Sequence, residues 1–162
     1  VLLHAPRTSS APTPLALPDL VALTREVADE VRAGRHAVVV DPERRWYSRL
    51  RGDDSVDVWL ISWAAEQAAE LHDHGGSIGA LTVVSGALTE ERWTAAGLRG
   101  RRLRAGRSAG FGLGHVHEVV NPASAPAVSV HAYSPPLTDM SYYDVRDGRL
   151  RRTRGELVEG TP

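Results

Sequence analysis

In Val56-Asp57-Val58-Trp59-Leu60-Ile61-Ser62-Trp63, the residues Asp57, Trp59, Ile61 and Trp63 alternate with Val56, Val58, Leu60 and Ser62. A period of two with large residues on both sides marks a strand with two faces rather than a helix. The same period recurs outward from it. A short strand is expected upstream at His36–Val40, and others downstream at about 68–75, 79–84, 87–93, 98–104, 115–120 and 126–133. Ser85-Gly86, Ala96-Gly97 and Asn121-Pro122 are turn signals between several of them, and Asp147-Gly148 predicts a hairpin joining about 141–146 to 149–153. Upstream of the strands the period changes. Pro18 suits a first helical turn, Leu20, Leu23, Val27 and Val31 follow at helical spacing, and Gly34 marks the stop, so one helix is expected over about 18–33. Residues 1–16, rich in Pro, Ser, Thr and Ala, read as a tail or arm. One helix followed by eight or more short strands predicts an all-β domain over 17–158, a sandwich or barrel, with no alternating helices to build a parallel sheet.

The chain has 162 residues, 42% hydrophobic and 24% charged, which suits one globular domain and argues against disorder. No apolar run approaches the roughly 20 residues that span a bilayer. The net charge is −1, and all 19 cationic residues are arginines. That balance gives no footprint for nucleic acid or an anionic membrane. The local run Arg99, Arg101, Arg102, Arg104 and Arg107 reads as the solvated face of a strand. There is no cysteine, which excludes disulfides, thiolate metal sites and a cysteine nucleophile. With no charged-then-apolar leader at the start, a cytoplasmic location is expected. A monomer is the expected state.

Five of the seven histidines, His72, His74, His115, His117 and His131, lie in the strand-rich part. Residues two apart on a strand share a face, so His72 and His74 can aim at one ion, and His115 and His117 repeat the arrangement on a later strand. Two such pairs with glycines around both favour a metal site over surface histidines. Ser129, His131 and Tyr133 likewise share one face, and Val128, Val130 and Ala132 the other. A buried hydroxyl and imidazole need partners, and each of the three can supply one to the next.

The spacing His72-x-His74, Gly79, Gly86 resembles the first motif of the cupin superfamily, and Gly112-Leu-Gly-His-Val-His117-Glu-Val-Val-Asn121 resembles the second. This resemblance implies a small double-stranded β-barrel, and it singles out His117 rather than His115 as a third ligand. The role of His115 stays open. Gly79 stands where cupins usually carry a glutamate ligand. Three neutral imidazoles leave a bound Fe(II) with its full double charge, which favours an anionic sulfur ligand, and leave three open positions on an octahedral ion.

Tyr47-Ser-Arg49, Leu71-His-Asp-His74, Ser85-Gly-Ala-Leu-Thr-Glu90, His117-Glu-Val-Val-Asn121 and Ala127-Val-Ser-Val-His-Ala-Tyr-Ser-Pro-Pro136 together resemble the cysteine dioxygenases, cupin thiol dioxygenases, in the bacterial form. The resemblance runs in order over about 46–146 and implies site residues position by position. His72, His74 and His117 would bind Fe(II). Arg49, aided by Tyr47, would hold the substrate carboxylate. Tyr133 would place its hydroxyl beside the iron, with Ser129 and His131 as a relay to it, and the Ser134–Pro135 bond would be cis. The implied reaction is oxidation of L-cysteine to cysteine sulfinic acid by O₂. The alternatives are a dioxygenase of 3-mercaptopropionate or another small thiol, a cupin isomerase or hydrolase using a different ion, and a non-enzymatic metal-binding cupin. Animal enzymes carry a cysteine at the position of Gly79, crosslinked to the tyrosine matching Tyr133. No such crosslink can form here.

Overall fold

The computed structural model describes residues 13–158, so most of the expected N-terminal arm lies outside the described residues. Helix α1 spans Leu17–Arg32, within a residue of the expectation. Pro18 sits in its first turn, and Gly34 follows with a φ of 75° while its N–H bonds to the Val31 carbonyl. That left-handed conformation costs glycine little and other residues more. Eleven strands follow. They are β1 (Trp46–Gly52), β2 (Asp57–Trp63), β3 (Ala68–His72), β4 (Ile78–Ser85), β5 (Ala87–Thr94), β6 (Gly97–Arg104), β7 (Ser108–Phe111), β8 (His117–Val120), β9 (Ala127–Ser134), β10 (Asp139–Arg146) and β11 (Arg149–Leu157). They form two antiparallel sheets, in the orders β1-β2-β9-β4-β7 and β11-β10-β3-β8-β5-β6. The expected all-β architecture with one N-terminal helix is present.

The central strands of the first sheet, β2, β9 and β4, are buried on both faces, which explains why β2 and β9 show no solvated face. Trp59, Ile61, Trp63, Leu81, Val83 and Phe111 point between the sheets, where they meet Leu88, Leu103 and Val119 of the second. Val58, Leu60, Ala80, Val128, Val130 and Ala132 point outward under Leu20, Val27, Ala28 and Val31 of α1. The helix therefore closes the back of the sheet that carries Ser129, His131 and Tyr133. Leu60 is fully buried at this second interface. Leu60→Ala is expected to lower unfolding stability by about 2–5 kcal/mol, from lost transfer energy and the cavity left behind. A shift in the urea midpoint with unchanged slope is the check.

Two expectations are corrected. His36–Val40 forms no strand, and Val38, Val39 and Val40 are 38, 50 and 41% exposed. The free edge of β2 is taken instead by β1, which pairs Trp46 with Ser62 and Tyr47 with Ile61. Among the described residues the valine segment is held by a side-chain bond rather than a ladder, as Ser62 Oγ donates to the Val39 carbonyl. The arginine run is not wholly solvated. Arg99, Arg102 and Arg104 are exposed on or beside the β6 edge, but Arg101 donates inward to the buried Glu90. The Ser134–Pro135 peptide is cis. Among the described residues no helix is long and apolar enough to cross a membrane.

Candidate metal centre

His72 closes β3 and His117 opens β8, and the two residues are direct partners in the antiparallel ladder. Their ring centroids lie 4.8 Å apart. His74 lies just beyond β3, so strand alternation alone does not aim it. The intervening Asp73 does: its Oδ1 accepts from the Gly75 and Ser141 amides at 3.1 and 3.0 Å, and its Oδ2 from the Tyr143 hydroxyl at 2.6 Å. With Asp73 fastened to β10, His74 turns to the same side as His72. The nitrogen donors of His72, His74 and His117 lie within 4.8 Å of one another, and all three side chains are buried.

Hydrogen bonding decides which nitrogens are free. The Nδ1–H of His72 donates to the Glu70 carbonyl at 2.5 Å, and that of His117 to Glu90 Oε1 at 2.9 Å. Each ring then turns an Nε2 lone pair inward. His72 Nε2 and His74 Nε2 are 3.1 Å apart, about the separation of two neighbouring nitrogen ligands each roughly 2.1 Å from one ion. Burial keeps these imidazoles neutral. It pushes His72 down to about 3, holds His74 well below the usual histidine range, and lowers His117 against the opposing pull of Glu90. Three neutral nitrogen donors facing one another suit a divalent transition-metal ion.

No side chain at position 79 enters this centre. A Cβ placed on Gly79 would run into the Phe111 ring. Phe111 stacks on His74, with centroids 4.7 Å apart and planes 23° from parallel. The space a glutamate would need is filled by an aromatic ring that packs a candidate ligand, so the candidate donors that converge here are three imidazoles.

A second cluster, Glu90, His115 and His117, shares one histidine with the first. Glu90 is fully buried, a feature invisible in Thr89-Glu-Glu-Arg92, which has the look of a solvated strand. His115 Nε2 and His117 Nδ1 approach its Oε1 at 3.0 and 2.9 Å, and Arg101 Nε donates to its Oε2. Burial alone would raise this carboxyl, but the three donors outweigh it and hold the group below the ordinary carboxylate range. Its oxygens already accept N–H groups, whereas the three-histidine set offers free lone pairs. The open question of His115 thus has a structural answer: it bonds to Glu90 and stacks on Phe111 at 5.4 Å.

A cavity of about 290 Å³ opens beside the centre, lined by His72, His117, His131, Tyr133, Arg45 and Tyr142 among others. Trp63 Nε1–H donates to Ser129 Oγ at 2.9 Å. Ser129 and His131 Nε2 are 2.9 Å apart, and His131 Nδ1 and the Tyr133 hydroxyl 3.4 Å. An indole only donates, so Ser129 accepts from Trp63 and passes its own proton to His131 Nε2. The neutral ring, pushed down to about 3 by burial, then carries its hydrogen on Nδ1 and points it at Tyr133. That direction leaves the Tyr133 O–H free to donate toward the cavity. Burial also pushes the Tyr133 phenol up, so it stays protonated. Its ring lies 5.0 Å from that of His74. The sequence pattern grouped Ser129, His131 and Tyr133 but missed Trp63, whose part appears only once β2 is paired with β9.

Two guanidiniums line the cavity, Arg45 and Arg154. Arg154 lies over the Tyr142 ring and is paired with Glu70, whereas Arg45 has no acidic partner among the described residues. The Arg45 Cζ lies 5.0 Å from the Trp63 ring, and Nη1 donates to the Ala68 carbonyl at 3.1 Å. Its Nε is buried without a partner. Arg49 and Tyr47 do not line the cavity. Both are exposed on β1, beside Trp59 rather than Trp63, with the Arg49 Cζ 5.9 Å and the Tyr47 ring 6.2 Å from the Trp59 ring. Four residues along a strand amount to roughly 13 Å, so the two arginines serve different ends of the same face.

The fold has many solved counterparts. A Thermus thermophilus protein matches with a TM-score of 0.57 at 21% identity, covering 64% of this chain and 94% of its own. A Klebsiella pneumoniae protein with a double-stranded beta-helix domain matches at 0.54 and 18%, covering 72% and 90%. Recombinant oxalate oxidase in complex with glycolate matches at 0.55 and 18%, covering 67% and 60%. At these identities the likeness bears on the fold, a double-stranded β-barrel. The family model for cysteine dioxygenase type I matches residues 19–146. That span takes in most of α1, the three histidines, the Ser129–Tyr133 strand and Arg45, and so this chain belongs to the cysteine dioxygenase type I family.

Proposed function

We propose that the protein is an Fe(II)-dependent thiol dioxygenase that converts L-cysteine and O₂ to cysteine sulfinic acid. The observation carrying this reading is the convergence of three buried, neutral imidazole nitrogens beside a cavity that also presents a guanidinium and a phenol hydroxyl. His72, His74 and His117 would hold the ion. Held by them, a ferrous ion would supply Lewis acidity toward a thiol and one common site for sulfur and O₂. Both oxygen atoms go to sulfur, so no external reductant enters the balance.

The remaining roles fall to side chains of this chain. Arg45 would hold the substrate carboxylate through its fork of N–H donors, since its Nε is buried and unpartnered. Arg49 and Tyr47, assigned to the carboxylate by the family pattern, would act at most from the rim near Trp59. Tyr133, with its proton directed into the cavity by His131, would donate a hydrogen bond to substrate or oxygen. Ser129 and Trp63 would hold His131 in the tautomer this requires. Trp63, Ile61 and Leu137 line the cavity with apolar surface that limits water. Tyr133→Phe removes the donated proton while keeping the ring, so kcat is expected to fall by about a hundredfold with little change in melting temperature. An unchanged kcat in steady-state oxygen uptake would remove Tyr133 from the chemistry.

The test of the function is oxygen uptake by iron-loaded protein on addition of L-cysteine, with the product identified by mass. Uptake with sulfinate formation supports the proposal. Equal or faster turnover of 3-mercaptopropionate, which lacks the amine, would overturn the choice of cysteine. No uptake with any small thiol would overturn the dioxygenase reading itself.

A further inference from the structure

Glu90 is a buried charge with no place in the reaction described above. It lies on β5 between β6 and β8, opposite Arg101 on one side and Val119 on the other. A carboxylate in that position is costly to bury unless it is fully bonded. Here both oxygens are engaged. Oε1 receives His117 and His115, and Oε2 receives Arg101, whose side chain reaches in from the edge strand. His117 is the candidate ligand that opens β8, and its Nδ1 has Glu90 as its partner. Its ring would otherwise be free to present either nitrogen to the centre.

We infer that Glu90, anchored by Arg101, is a positioning residue that fixes the His117 imidazole with Nδ1–H outward and Nε2 toward the ion. The inference rests on the reading of His72, His74 and His117 as a metal centre. An imidazole that donates to a carboxylate is also a more basic ligand through its other nitrogen. Glu90 thereby sets both the direction and the strength of the bond His117 can make. His115 shares the same oxygen and stacks on Phe111, which in turn stacks on His74. Two of the three candidate ligands are thus braced from one side of the barrel, while His72 is braced by its own bond to the Glu70 carbonyl.

The test uses Co(II) alone as the probe. Its affinity is measured by competition with a chromophoric chelator, and its ligand-field absorption is recorded at saturation. Glu90→Gln keeps the shape and removes the charge. It is expected to weaken Co(II) by about 10–100-fold and to shift the absorption of the bound ion. A merely structural role would lower the melting temperature of the metal-free protein but leave the spectrum of the saturated form unchanged. Glu90→Asp retains the charge that Arg101 needs, so it guards against loss of folding. It draws the oxygen back from His117 and is expected to weaken Co(II) as well. His72→Ala separates the two ideas. If it abolishes Co(II) binding while both Glu90 variants bind within threefold of wild type with unchanged spectra, the positioning role is overturned and the metal centre stands. If His72→Ala binds Co(II) as tightly as wild type, the centre itself is overturned.

Discussion

His72→Ala is expected to leave a folded protein that no longer retains iron and no longer oxidises thiols. His72 supplies one of three convergent nitrogens, and its Nε2 lies 3.1 Å from that of His74. Two imidazoles and water do not replace a preset set of three. The loss in metal affinity is expected to exceed the roughly 10–100-fold that removing an outer hydrogen-bond partner typically costs. His117→Ala should match it, because the two residues face each other across one rung of the β3–β8 ladder. His115→Ala should not, since its Nε2 is turned to Glu90 rather than to the centre. Metal content by elemental analysis after reconstitution and desalting reads the difference. Full iron occupancy in His72→Ala would remove that residue from the ligand set.

The second large effect is expected at Arg45. A bidentate bond between a guanidinium and a carboxylate contributes about 3–4 kcal/mol when two charge-assisted hydrogen bonds form in a site shielded from water, or roughly 10²–10³-fold in kcat/KM. Arg45→Met keeps much of the volume against Trp63 and removes those bonds. Its kcat/KM for cysteine is therefore expected to fall by that factor. For cysteamine, which has no carboxylate, the change should be small. Arg49→Ala should alter cysteine turnover by less than about threefold, since the exposed Arg49 lies over Trp59 outside the cavity. The reverse pattern, a large loss in Arg49→Ala and little in Arg45→Met, would return the carboxylate to Arg49.

Those two arginines show what a linear pattern can and cannot carry. The Tyr47-Ser-Arg49 context pointed to Arg49, whereas the arginine found beside Trp63 in the cavity wall is Arg45, a placement set by the β1–β2 register. That register was not readable, because the β1 segment Trp46–Gly52 carries two exposed arginines, Arg49 and Arg51, and a bulge between them, and has the look of a charged loop. Its inner residues Trp46 and Leu50 pack under α1 and are only partly buried, which weakens the alternation. The strands β2 and β9 were readable for the opposite reason. Both are buried throughout, so each residue type reports its face without interference from solvent. The His72–His74 pair was legible from spacing and His117 from the cupin resemblance, and the fold brings the three together, although His74 is aimed by the Asp73 turn rather than by strand alternation. Glu90 was not, because its three partners reach it from separate pieces of chain, Arg101 from β6 on one side and His115 and His117 from β8 and the turn before it on the other.

Isotopic labelling tests the central claim most directly. Iron-loaded protein is incubated with L-cysteine under ¹⁸O₂ in unlabelled water, and the product is weighed by mass spectrometry. Cysteine sulfinate carrying two labelled oxygens is the expected product, with none formed by His72→Ala. Sulfinate labelled at one oxygen or none, or equal product from the variant, would contradict a three-histidine centre that delivers both atoms of O₂ to sulfur.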